Sequence, residues 1–148
     1  MLITGKYAVW NYTPHKMDFY PAQPYSMRKP RVMYTVPSDG AIDVVYYNNC
    51  VDIFGVHRVL PTATIASEDL HLLQQRIEEG RRQGLFTIIY VSRVVVEALG
   101  VIGYPMTDGR SYVIGSIVPA TKRTVKRKVA SWRYVSGAYE HAVSSHIA

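Results

Sequence analysis

The residues in this chain that could do nucleophilic chemistry are a single thiol, Cys50, and Asp52 and His57 just after it in CVDIFGVH. A thiol attacks as its thiolate, which an imidazole held by a carboxylate can generate. The spacing matches no local signature of a thiol enzyme, and on one continuous strand positions 50 and 57 fall on opposite faces. A lone cysteine of this kind is expected to pack rather than react. It also excludes a disulfide framework and a cysteine-rich zinc site.

The other reactive types are just as thinly placed. His141 and His146 would be separated by more than a right angle on a helix and have no third ligand near them in sequence, so no metal site is expected. Asp39, Asp43 and Asp52 are scattered over turn and strand positions without a pairing suited to acid–base work. Gly100 and Gly103 form a bare G-x-x-G, read as helix-end and turn glycines, and no phosphate-cradling loop occurs. Asn11-Tyr12-Thr13 has the form of a glycosylation acceptor, but MLITGKYAVWNY does not read as a secretory leader, which makes the match accidental. No catalytic, cofactor or metal residue is assigned. No small-molecule substrate is evident, and the chain is expected not to be an enzyme.

Charge is the stronger signal. Residues 1–109 hold ten Lys/Arg and ten Asp/Glu, whereas residues 110–148 hold seven Lys/Arg and only Glu140, which accounts for the whole net charge of +6. The stretch ATKRTVKRKVASWRYVSG concentrates Lys122, Arg123, Lys126, Arg127, Lys128 and Arg133 with no acidic neighbour. Val125, Val129, Trp132, Val135 and Tyr139 recur at helical spacing, which predicts a basic C-terminal helix over about 121–146. Lys122/Lys126 and Arg123/Arg127 are then like-charged i,i+4 pairs, each costing about 0.2–0.5 kcal/mol in isolation. An anionic partner would reverse that sign, whether nucleic-acid phosphate or an acidic protein patch. Tyr134 faces the same way as the arginines and joins Lys122, Arg123, Lys126, Arg127, Lys128 and Arg133 as the expected partner-binding set.

A second candidate surface lies near the N-terminus. Pro14, Pro21, Pro24 and Pro30 forbid a helix, so residues 13–30 are expected to form an extended arm. Phe19, Tyr20, Tyr25, Arg28, Lys29 and Arg31 are its expected contact residues with other subunits. Seven of the 12 tyrosines precede Cys50, and tyrosine suits subunit contacts as well as cores.

The elements that must carry these residues are read from pattern. At 148 residues one domain is expected, with no linker or repeat. The fold class is α+β, a mostly antiparallel sheet with a central helix over about 67–83. Ser67 is its expected N-cap, Gly84 its stop, Gly80 a point of close approach, and Leu72 an outward apolar residue. Strands are expected at 3–12, on either side of the PSDG turn, at 50–60 with a bulge at Gly55, at 85–91, and from Arg110 to Pro119. SRVVVEALG fits strand or short helix. No apolar run approaches the roughly 20 residues a membrane helix needs. The expected function is a non-enzymatic structural or assembly subunit, cytoplasmic or part of a phage or virus particle. Its expected partners are other copies of itself or other subunits. The alternative is a nucleic-acid-binding or regulatory protein acting through residues 122–133.

Overall fold

A computed structural model describes residues 1–19 and 34–116. Among the described residues its centre is a four-stranded sheet. β1 (Leu2–Thr4) and β2 (Tyr7–Asn11) form an antiparallel hairpin turned at Gly5, where φ is 56°. The single strand expected over 3–12 is thus folded in two. β7 (Phe86–Tyr90) lies parallel to β2, and β8 (Tyr112–Gly115) parallel to β7, in the order β1-β2-β7-β8.

Two small antiparallel pairs complete the strands. β3 (Met17–Phe19) pairs with β4 (Tyr34–Val36), and β5 (Val44–Ile53) with β6 (Val56–Ile65). The α+β class holds, but the expected antiparallel character is confined to these pairs and to β1–β2. The two central pairings are parallel, because the chain leaves β2 and β7 by long crossovers rather than tight turns. The PSDG segment likewise does not join paired strands. It follows the end of β2, Asp39 N–H donating to Asn11 C=O at 2.7 Å and Ile42 N–H to Tyr12 C=O at 3.1 Å.

Helix α1 (Ser67–Gln83) and α2 (Arg93–Val101) cover one face of the central sheet. Leu73 and Ile77 of α1 and Val95, Ala98 and Leu99 of α2 pack with Ile89, Val91, Tyr112 and Ile114. The β3–β4 pair covers the other face, where Met17, Phe19 and Val36 meet Val9, Ile88, Tyr90 and Val113. Alternate residues of β7 thus enter different cores, which is why FTIIY, Thr87 apart, is an apolar run rather than an alternating one.

The helices follow their local signals only in part. α1 ends as expected at Gly84, left-handed at φ 67°, whose N–H donates to Arg81 C=O. Its N-cap is Ala66 and no side chain caps it, so Ser67 is the first helical residue. Leu72 is half-buried against the helix-side core and not outward. SRVVVEALG is helical despite its β-branched run, because Val95, Ala98 and Leu99 at i, i+3, i+4 bury one stripe fully. Gly80 lies against β7, where a Cβ would fall well inside contact distance of Thr87 Oγ1.

Candidate interaction surface

β5 and β6 form a ribbon of ten paired positions each, joined by Phe54 and Gly55. Both turn residues have positive φ, 53° and 76°, the signature of a two-residue primed turn that matches strand twist. Gly55 therefore closes a hairpin where a bulge was expected. The root of the ribbon is fixed by Ile65, which is buried, and by Val44, half-buried against the helix-side core. Beyond Thr62, toward the turn, every residue of β6 is exposed. At about 3.4 Å per residue, the six pairs past Thr62 carry the tip about 20 Å from the body.

What the ribbon exposes is unusual for a solvated arm. Tyr46 is 64% exposed, Val59 55% and Phe54 fully exposed, with Val45, Tyr47, Val56 and Leu60 also open. Directly opposite residues share a face. Tyr46, Cys50 and Val59 therefore stand on one side, and Val45, Tyr47 and Leu60 on the other. Exposed apolar side chains thus stand on both faces of the ribbon.

The turn also rearranges the reactive residues. Asp52 lies opposite His57 and Cys50 opposite Val59, so Cys50, Asp52 and His57 share one face instead of being divided. His57 Nδ1 is 2.8 Å from Asp52 Oδ1, with both side chains largely exposed. Such a pair contributes under about 1 kcal/mol. Cys50 is exposed rather than packed.

Elsewhere the polar clusters are saturated in ways that hold the fold. Asn11 is fully buried, its Nδ2 donating to His15 and Val36 carbonyls at 2.7 and 3.1 Å and its Oδ1 accepting from Thr13 N–H and Oγ1–H. The amide of the formal glycosylation acceptor is thereby consumed in the interior. Arg76 lies 3.9 Å over the Trp10 ring and donates to Tyr12 Oη at 2.7 Å and to Glu79 at 3.1 Å. Burial pushes the Tyr12 hydroxyl's pKa up, keeping it a neutral acceptor.

Asp108 clamps the loop before β8 to α1. It accepts from Arg110 and Ser111 N–H at 2.8 and 2.7 Å, from Ser111 Oγ–H, and from Arg81 at 3.1 Å. Burial opposes its charge, but the Ser111 bonds first, then Arg110 and Arg81, hold the carboxyl well below the usual carboxylate range. A shallow depression along α1, lined by His71, Gln74, Gln75, Glu78, Glu79 and Arg82, draws all those residues from one helix. Among the described residues no group of three or more His, Cys, Asp or Glu could hold a metal ion, and no helix is long and apolar enough to cross a membrane.

Of the residues expected to bind partners, Phe19 is placed in the chain's own interior. It is buried with its ring 5.4 Å from that of Tyr90, because β3 pairs with β4 and turns it onto the central sheet. Tyr20, Tyr25, Arg28, Lys29 and Arg31 lie outside the described residues, as do Lys122, Arg123, Lys126, Arg127, Lys128, Arg133 and Tyr134 with the C-terminal helix expected for them. The ribbon itself is a surface that sequence reasoning does not anticipate. Its signal is present in two β-rich runs of equal length about a Gly, with Phe in place of the Asn or Asp that usually marks such a turn. Comparison of the chain with protein-family models, curated proteins and solved structures finds no match.

Proposed function

We infer that this chain is a structural subunit that assembles with other protein subunits through the β5–β6 ribbon. The observation that carries this reading is a two-stranded arm, apolar on both faces and, among the described residues, anchored only at its root. An isolated hairpin is marginal in water, and its exposed apolar area is stabilised when a neighbour covers it. The neutral charge balance of residues 1–109 also favours protein as the partner of this part of the chain.

Light scattering on the full chain, and on a variant in which residues 48–61 are replaced by Asn-Gly, tests the reading. Joining Tyr47 to Thr62 keeps the ladder and the packed root. The full chain should give a mass above 16.7 kDa, and the shortened chain a monomer whose circular dichroism keeps the helical bands of α1 and α2. Equal masses for the two would sink the reading. The basic stretch 122–133 supports a second reading, nucleic-acid binding, which absorbance at 260 and 280 nm on the same samples would reveal.

A further inference from the structure

The ribbon's two edges are not equivalent, and the difference names a partner for the assembly reading above, on which this inference rests. In an antiparallel pair, opposed residues alternate between those that exchange both hydrogen bonds and those whose N–H and C=O groups point away from each other. A two-residue turn makes the flanking pair, Ile53 and Val56, a hydrogen-bonded one. Counting down the register leaves Asp52/His57, Cys50/Val59, Asn48/Pro61, Tyr46/Ala63 and Val44/Ile65 with outward-facing backbone groups, the Val44 N–H donating to the neighbouring Asp43 Oδ1 at 2.9 Å.

Pro61 therefore stands where its missing N–H costs the ladder nothing, and there it interrupts the outer edge of β6. Proline on an edge is a recognised device against further pairing. β5 carries no such device. Val44–Ile53 contains no Pro, Gly, Lys or Arg, and among the described residues no strand lies on its outer side.

We propose that β5 pairs with β5 of a second copy, antiparallel about a two-fold axis normal to the ribbon, so that two ribbons become one four-stranded sheet. Overlap is greatest with Asn48 on the axis, because it is the middle one of the five outward-facing residues of β5. Tyr46 then meets Cys50 of the second copy, and Val44 meets its Asp52. Charge favours this direction of pairing. Asp52 is the one charged residue of β5, and antiparallel pairing sets the two copies of it about 27 Å apart, whereas in-register parallel pairing would stack them. The blocked edge of β6 stops further addition, so the contact closes as a dimer and does not propagate into a fibre.

Sedimentation equilibrium on charge-swapped variants tests the pairing. A residue on the two-fold axis meets itself, so Asn48→Lys and Asn48→Asp should each raise the dimer Kd about fivefold, and an equimolar mixture should recover wild-type affinity. Cys50→Pro removes an outward donor from β5 and should give monomer. Val59→Pro removes the opposed donor from β6 and should leave the dimer intact. A monomeric wild-type chain, a mass that climbs past dimer with concentration, or a mixture no tighter than its components would overturn the proposal. If shortening the ribbon abolishes assembly while Cys50→Pro and the Asn48 variants leave it unchanged, edge pairing fails and the ribbon reading stands.

Discussion

At the scale of single residues, Gly80 and Thr87 set how closely α1 approaches β7. Alanine at position 80 would gain about 1 kcal/mol of helix propensity. Its Cβ would drive into Thr87 Oγ1, with Thr87 Cβ at 3.3 Å and the Leu85 carbonyl at 3.4 Å behind it. Overpacking of this kind costs about 1–3 kcal/mol, so Gly80→Ala should lower the urea midpoint despite its better propensity. Thr87→Ala should cost little, since the buried Oγ1 has no hydrogen-bond partner among the described residues. Combined, the two substitutions should be less destabilising than Gly80→Ala alone, a non-additivity that a double-mutant cycle reads directly.

Asp108 makes a pH-dependent contribution at the same scale. Its folded pKa lies below the unfolded value of about 3.9, so the stability it supplies is fully present above that value and is lost as pH falls toward the folded one. Asp108→Asn should therefore cost about 1 kcal/mol at pH 7, a figure held low by the 28% exposure of the side chain. Urea midpoints of the two proteins should begin to draw together as pH drops below about 4. A gap that stays constant with pH would show that the Asp108 charge contributes nothing.

At the scale of elements, the ribbon turn bears on the proposed assembly. Phe54 is held at φ 53°, a region that costs a side chain of this type about 1–2 kcal/mol, and its ring is wholly in solvent. Asparagine adopts that conformation readily, so Phe54→Asn should slow hydrogen exchange along the ribbon while leaving the melting of the body unchanged. If the Phe54 ring contacts a partner, the same variant should weaken assembly even as it rigidifies the hairpin. Stronger assembly would instead mean that the ring is dispensable and preorganisation dominates.

The elements also differ in how plainly the sequence announces them. α1 is legible because the period of Leu73 and Ile77, the acidic first turn and Gly84 all agree. β7 is legible as a run buried on both faces. α2 is not, because Val94, Val95 and Val96 favour strand locally and only burial of one stripe against the sheet decides for helix. The two-residue turns at Gly5 and Gly55 escape sequence reasoning for a shared reason. In each, β-rich residues run up to a glycine on both sides, and only pairing distinguishes a turn from a kink in one strand. Phe19 takes its apparent character from proline-rich neighbours, yet cross-strand pairing with β4 places it in the core.

At the scale of the whole molecule, charge divides the chain into parts that answer differently to salt. Residues 1–109 are neutral, and the ribbon from Val44 to Ile65 carries only Asp52, Arg58 and the titratable His57. Assembly of the kind proposed for the ribbon would rest on apolar contact and backbone pairing, which the screening of surface charge barely touches. The oligomer mass should therefore be the same at about 50 mM and about 500 mM salt. Binding of phosphate by the 122–133 stretch would respond in the opposite way, since each neutralised phosphate releases a counterion and makes affinity fall steeply with salt. Replacing Lys126, Arg127 and Lys128 with Ala should consequently abolish any nucleic-acid signal at low salt and leave the protein mass unaltered. If that triple substitution dissociates the oligomer, the basic stretch meets an acidic protein surface instead, and assembly draws on both parts of the chain.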